Sequence, residues 1–374
     1  MLKRLYVDNF RCLVDFELNF NSINLFLGEN GAGKSTVFDV LENMQKLITT
    51  DSTVKSIFPL SDTTYWLPRV NRKYELEILS NGGVYKYEVK IAIIEPKVDT
   101  DPFEVMIESE RLYFNEVTLL HALDNTILIQ LDNGEIIQSQ RYNYYQSIVS
   151  LLKPDNNNHK LILFREKIKR LLFLKINPHL VDNFSSQKEA FLTKRGENYV
   201  SWFRYMFAEN PDKINQLTLS LQEVLDGFIR FEIKQISEKS VVLFLVFSNE
   251  VKYFFSDLSD GQRALVVLYS LFYGLESQDY TLCIDEPENF LALPEIQPWL
   301  FQLEDLCSEG KLQALLISHH PQLIDYLLSS PIGYWFERQA NSAVKVKPIN
   351  SELQKFNESG LSMSELIARR WLSE

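Results

Sequence analysis

The 374-residue chain is poor in cysteine: Cys12, Cys283 and Cys307 are the only three. Their number is odd and their spacing fits no metal site, which excludes a disulfide-stapled scaffold or a zinc ribbon. They read as buried thiols in a reducing compartment, so the expected location is the cytoplasm. Long apolar runs are also missing, and none approaches the ~18 residues of a membrane span. The first residues, MLKRLYVDNFRC, place charges inside the apolar stretch, unlike a signal peptide. Positive charge is in deficit, with 38 Lys and Arg against 50 Asp and Glu, for a net charge of −12. That argues against a general nucleic-acid coat protein. It still permits a local basic groove, or an anionic ligand held by backbone amides. Internal repeats, low-complexity tracts and a persistent heptad are absent. What is plentiful is core material: 45% hydrophobic residues, including 25 Phe and 17 Tyr, enough for one large domain or two moderate ones.

The patterning divides the chain. Residues 2–28 read as strands, LKRLYVDNF, VDFELNF and INLFLG. The first two alternate as on a half-solvated sheet, and the third is continuous as in a buried strand. A Gly-rich turn and a helix from Lys34 to about Leu47 follow. Residues 74–94 predict a hairpin turning at Asn81-Gly82-Gly83, and 105–138 more strands, with a turn at Asp132-Asn133-Gly134. From Tyr142 to Phe228 the spacing is helical, in KLILFREKIKRLLFL, EAFLTKRGENYVSWFRYMF and INQLTLSLQEVLDGF. Strand character returns over 230–255. After residue 255 strands and helices alternate, as in a mostly parallel α/β sheet. The expected organisation is a β-rich N-terminal part over 1–140, a helical insert over 141–229, a C-terminal part over 230–350 and a tail helix over 351–374.

Three stretches carry chemistry. The first, 28-GENGAGKS-35, fits G-x-x-x-x-G-K-[ST] between an apolar strand and a helix, the context the pattern needs. Gly28, Gly31 and Gly33 let backbone N–H groups face a polyphosphate at a helix N-terminus. Lys34 would reach the β- and γ-phosphates, and Ser35 would ligate Mg²⁺. The second is 280-YTLCIDEPEN-289. Asp285, at the end of an apolar strand, suits a Mg²⁺ shell. Glu286 suits a general base for an attacking water. Two acidic cap residues before a helix is the plainer alternative. The third, 314-ALLISHHPQLI-324, ends a buried strand in Ser318-His319-His320-Pro321, where a histidine could meet a γ-phosphate or simply occupy a turn.

These stretches, with 258-LSDGQR-263 between the first and second, occur in an order that resembles the ABC-type ATPases, and more closely their soluble SMC-like and OLD-like branch. The strand ending Asn9-Phe10-Arg11 is part of that likeness. The motif-bearing parts cover residues 1–48 and about 255–330. The resemblance implies an α/β fold of the P-loop NTPase class, ABC-ATPase type, with a mixed sheet, an antiparallel β-rich N-terminal lobe and a helical insert. It implies ATP and Mg²⁺ as cofactors. It makes Gly28, Asn30, Gly31, Gly33, Lys34, Ser35 and Thr36 the nucleotide-binding set, Ser35 and Asp285 the metal ligands, Glu286 the catalytic base and His319 the switch histidine ahead of His320. Ser259, Gly261 and Gln262 match the signature motif, which in this family caps the γ-phosphate of another protomer, so a homodimer around an ATP sandwich is implied, with higher assembly open. Arg11 is a candidate nucleotide contact, against a solvated strand residue. A glutamine that senses Mg²⁺ is expected between the phosphate loop and the signature; Gln138 and Gln140 are the candidates. The sequence 290-FLALPE-295 keeps Pro294 but lacks the family's histidine before it, and Asn289 is a candidate for the loop facing the partner.

Short helices in place of long coiled coils predict a compact lid, and the segment after the His319 region is shorter than an OLD-type nuclease domain. The reading is therefore an ATP-driven switch resembling the ATPase subunits of bacterial anti-phage systems such as Septu or retron-associated modules. Its expected partner is a separately encoded nuclease or toxin, with nucleic acid reached through the complex and no membrane contact. The alternative is an SMC-like repair or recombination ATPase that binds DNA itself. The basic helix 165-REKIKR-170 and the tail 361-LSMSELIARRWLSE-374 are further candidate contact surfaces.

Overall fold

Alternation along the first 140 residues becomes one antiparallel sheet. The computed structural model describes residues 1–67, 71–80, 82–94, 103–141, 143–275, 279–328, 333–349 and 365. Eight strands lie in the order Phe16–Asn19, Leu2–Asp8, Asn71–Ser80, Gly83–Ile94, Glu104–Phe114, Val117–Leu123, Thr126–Gln130 and Ile136–Gln140. Strand Gly83–Ile94 shows the cause: its odd positions Tyr85, Tyr87, Val89 and Ile91 are buried while the residues between are more exposed. The outer face carries cross-strand ion pairs, Arg4 with Glu17 at 2.8 Å and Glu75 at 2.7 Å, and Lys86 with Glu88 at 2.6 Å. Glu75 is buried, while an exposed pair such as Arg4 with Glu17 contributes little. The pairs favour one pairing register over its neighbours.

The chain divides into two compact units, Met1–Leu171 with Ser330–Glu374, and Leu172–Ser329. The break falls inside the span 141–229. In the first unit, strand Ile23–Gly28 pairs in parallel with Gly333–Glu337, which pairs antiparallel with Lys345–Pro348. Helix Lys34–Thr49 packs on this layer through Phe38, whose ring lies 5.8 Å from Phe26; Phe26 in turn meets Phe336 at 5.0 Å. Gln45 of that helix donates to the carbonyls of Ile168 and Leu171 at 2.9 and 2.7 Å. It thereby reaches the end of helix His159–Lys169, whose Lys169 carbonyl also lies 3.3 Å away, and the start of the strand after it.

In the second unit the strands Leu171–Leu174, Tyr280–Asp285 and Leu312–Ile317 lie side by side, the latter two parallel with Asp285 opposite Ile317. Helix Asp260–Gly274 is buried along most of its length. Trp299 of helix Leu293–Ser308 stacks on Phe272 at 5.4 Å and donates its indole N–H to the Leu268 carbonyl at 3.0 Å. A smaller sheet centres on Val241–Phe247, flanked by Phe228–Gln235, Phe184–Ser185 and Val251–Phe254.

Three differences from the sequence expectations are informative. The helical reading of KLILFREKIKRLLFL stops at Lys169, and Leu171–Leu174 is a strand. Four consecutive apolar residues have no polar face to turn to solvent, and they form a strand beside Tyr280–Asp285. In EAFLTKRGENYVSWFRYMF only Tyr199–Glu209 is helical, because Gly196 adopts a left-handed turn that starts the helix late. Strands Gly333–Glu337 and Lys345–Pro348 were not anticipated. The hairpin residue Asn81 and the tail 351–374 lie outside the described residues, Glu365 excepted.

Candidate nucleotide-binding and hydrolysis site

The phosphate loop leaves the buried strand Ile23–Gly28 and enters helix Lys34–Thr49 at Gly33, whose φ of 101° lies in the left-handed region. A Cβ there would stand 2.7 Å from Val344 Cγ2, so both backbone and space demand glycine. The helix start has no side-chain cap and no acid in its first turn. Its first N–H groups and the positive end of its dipole are thus not offset by a local carboxylate, the arrangement that binds anions. Lys34 is buried, and its ammonium donates to the carbonyls of Gly28 at 2.7 Å and Glu29 at 2.9 Å. This holds the cation under the loop. Asn30, Gly31 and Ser35 are exposed around it, and Thr36 Oγ accepts from the Cys12 thiol at 3.7 Å. Arg338, absent from the sequence reading, points Nη1 at the Gly31 carbonyl, 3.5 Å away, while its guanidinium lies 5.5 Å from the Trp66 ring centre.

The Asn9-Phe10-Arg11 stretch leaves the first strand rather than extending it. Asn9 is fully buried with φ of 68°; its amide donates to Asn71 O and accepts from Thr64 N, both at 3.0 Å. Phe10 is buried against Phe58 and Tyr74. Arg11 sits in a left-handed turn, not on a strand, and pairs with Asp62 at 2.8 Å and with Asp39 of the phosphate-loop helix at 2.6 Å. Burial acts to lower its pKa, but the bonds to Asp62 and Asp39 raise it above the usual arginine value.

In the second unit, Asp285 closes its strand and Glu286 turns out of it with φ of 57°. A glutamate held there stores backbone strain, which accumulates at functional positions. Glu286 is fixed by its backbone N–H on Ile317 O at 2.8 Å and by the Asn289 amide on its Oε2 at 2.8 Å. Asn289 thus serves Glu286 in its own chain. Lys175, just past strand Leu171–Leu174, brings its ammonium 3.1 Å from Asp285 and 3.5 Å from Glu286. Burial opposes the charge, yet these two carboxylates raise the Lys175 pKa. Gln138 and Gln140 lie on strand Ile136–Gln140, where every residue is exposed.

Glu288 is buried and organises the histidine turn. Its Oε1 accepts from Ser318 Oγ at 2.5 Å and from the His319 N–H at 3.3 Å, and its Oε2 is buried without a partner among the described residues. His319 is exposed at the end of the buried strand Leu312–Ile317. The signature stretch begins helix Asp260–Gly274 with a full capping box: Ser259 Oγ accepts from Gln262 N at 3.2 Å, and Gln262 Oε1 from Ser259 N at 3.0 Å. Gly261 has a nearer reason to be glycine than an anion: a Cβ would come 2.8 Å from the Phe290 carbonyl. Asp260 pairs with Arg263 and with His179, and Arg263 donates to Pro178 O at 2.7 Å.

Ser35 and Asp285 each carry an oxygen donor, the type that a hard divalent cation such as Mg²⁺ takes. Among the described residues no group of three or more His, Cys, Asp or Glu could hold another metal. None of the described helices is long and apolar enough to cross a membrane.

The fold and phosphate loop define an ABC-type, SMC-like AAA ATPase class. Residues 23–325 match the family described as "AAA domain, putative AbiEii toxin, Type IV TA system", and the chain belongs to that family. The SMC head bound to the C-winged helix domain of ScpA covers 93% of this chain and 98% of its own, with a TM-score of 0.53 at 10% identity. The SMC head domain from Thermotoga maritima covers the same shares at a TM-score of 0.45 and 13% identity. A stretch of 42 residues is 48% identical to the OLD nuclease of Thermus scotoductus, 11% of this chain and 8% of that protein's length.

Proposed function

We propose that the chain binds ATP with Mg²⁺ and hydrolyses it, as the switch subunit of an assembly whose effector is a separate protein. The observation that carries the reading is the phosphate loop: a helix start without a competing acid or side-chain cap, entered through a required glycine and backed by a buried lysine. In this reading Lys34 and the loop amides hold the phosphates. Ser35 and Asp285 serve the metal, Glu286 orients water, and His319, on the turn held by Glu288, meets the γ-phosphate. The Ser259 signature serves the nucleotide of a second copy. ATP therefore closes a homodimer and hydrolysis reopens it.

The family description names a toxin system, and the short match is to a nuclease. Both support an effector of nuclease or toxin type; its place on a separate partner and in anti-phage defence is part of the proposal. The test is equilibrium ATP binding by wild type and Lys34→Ala, with the oligomeric state measured in the same samples. Wild type should bind ATP and dimerise with it, and the variant should do neither. Equal ATP affinity of the two proteins would contradict the reading.

A further inference from the structure

Lys175 occupies a place that the proposed chemistry gives to a metal. Its ammonium contacts Asp285 Oδ2 at 3.1 Å and Glu286 Oε2 at 3.5 Å. A lysine ammonium has three donors and no lone pair, so it cannot join the first shell of a cation. Near those carboxylates it competes with one. We propose that Lys175 is a built-in counter-cation of the Asp285–Glu286 pair, which Mg²⁺ arriving with ATP must displace, so that the pair's repulsion stays partly offset until the metal-nucleotide complex is bound. The proposal rests on the ATPase reading and adds a regulation to its site.

The surroundings decide which partner moves. Glu286 is tied by its backbone to Ile317 and by its carboxylate to Asn289. Asp285 lies in a parallel register with Ile317, and its side chain is only 12% exposed. The backbone after Lys175 is also pinned. Lys175 N donates to Lys194 O at 2.7 Å and Asn177 N to Arg195 O at 3.0 Å, while Pro178 O accepts from Arg263. The lysine side chain, by contrast, is 51% exposed on a four-carbon stem. The carboxylates and the backbone hold still, and the lysine stem swings into solvent. Asp285 and Glu286 offer the oxygen ligands that a hard divalent cation would prefer, whereas the Lys175 ammonium is readily hydrated once it leaves them.

The exchange is read by titrating Mg²⁺ at fixed ATP and following bound nucleotide in wild type, Lys175→Met, Lys175→Gln and Lys175→Arg. Removing the charge should lower the Mg²⁺ concentration for half-maximal ATP binding about tenfold, equivalent to about 1.4 kcal/mol. Arg, which keeps the charge, should stay near wild type. Without nucleotide, the two neutral variants should melt below wild type and recover more stability on adding MgCl₂, because their carboxylates then repel unscreened. Should Met fail to fold, Gln carries the same comparison. An identical Mg²⁺ midpoint in wild type and a folded neutral variant, with ATP binding intact, would overturn the lock alone. Absence of ATP binding by wild type would overturn the ATPase reading and the lock together.

Discussion

Two helix starts in this molecule look alike in sequence and differ in physics. Helix Lys34–Thr49 begins at a left-handed glycine with no side-chain cap and no first-turn acid. Helix Asp260–Gly274 begins at Ser259 with a reciprocal capping box, and Asp260 stands in its first turn. The first has neither a side-chain cap nor an acid set against its dipole; the second satisfies one N–H internally and offsets its dipole. A signature of Ser, Gly and Gln is therefore first a helix cap. Any phosphate it meets must be engaged by a hydroxyl that already accepts one bond and still has its proton to donate.

The difference can be broken from either side. The largest effect is expected at the uncapped start: Lys34→Ala should weaken ATP binding by at least about a hundredfold, because a buried, charge-assisted contact is lost. Isothermal titration checks it. Next, Ser259→Arg should leave ATP affinity within about twofold while hydrolysis falls at least about tenfold, since the capped start serves another copy's phosphate in the proposed cycle. Mixing it with Lys34→Ala should restore activity, because one composite site of a mixed dimer keeps an intact loop and an intact signature. No recovery in steady-state assays would count against trans action.

Smaller effects sharpen the contrast in stability. Gly33→Ala combines a left-handed φ with a 2.7 Å approach to Val344, so a loss of about 2–4 kcal/mol is expected in denaturant unfolding. Ser259→Ala removes only a cap, worth about 1 kcal/mol. If the two losses were equal, the distinction between a strained, open start and a relaxed, capped one would fail.

Legibility from the sequence followed the distance between partners. The phosphate loop was readable because its glycines, lysine and flanking strand and helix are contiguous, and so were the strand ending in Asp285 and the turn bearing His319. Lys175 was not, since its carboxylate partner Asp285 lies 110 residues further on and the tetrad before it resembled the end of a helix. Glu288 is illegible for the same reason, its partner Ser318 being 30 residues away. The alternation in GYWFE and KVKP is the sequence signal for the two late strands, and no motif accompanies it. Gln138 and Gln140 attracted the sensor role by residue type alone, and their strand proved to be exposed throughout.

The most direct measurement is phosphate release and retained nucleotide for Glu286→Gln. Glu286 is held in a strained turn by Asn289 and Ile317, and the amide keeps that shape while losing basicity. Hydrolysis should fall by at least about a hundredfold, the scale of a lost general base, while ATP stays bound and the protein is trapped as a dimer. Turnover at the wild-type rate would contradict the account.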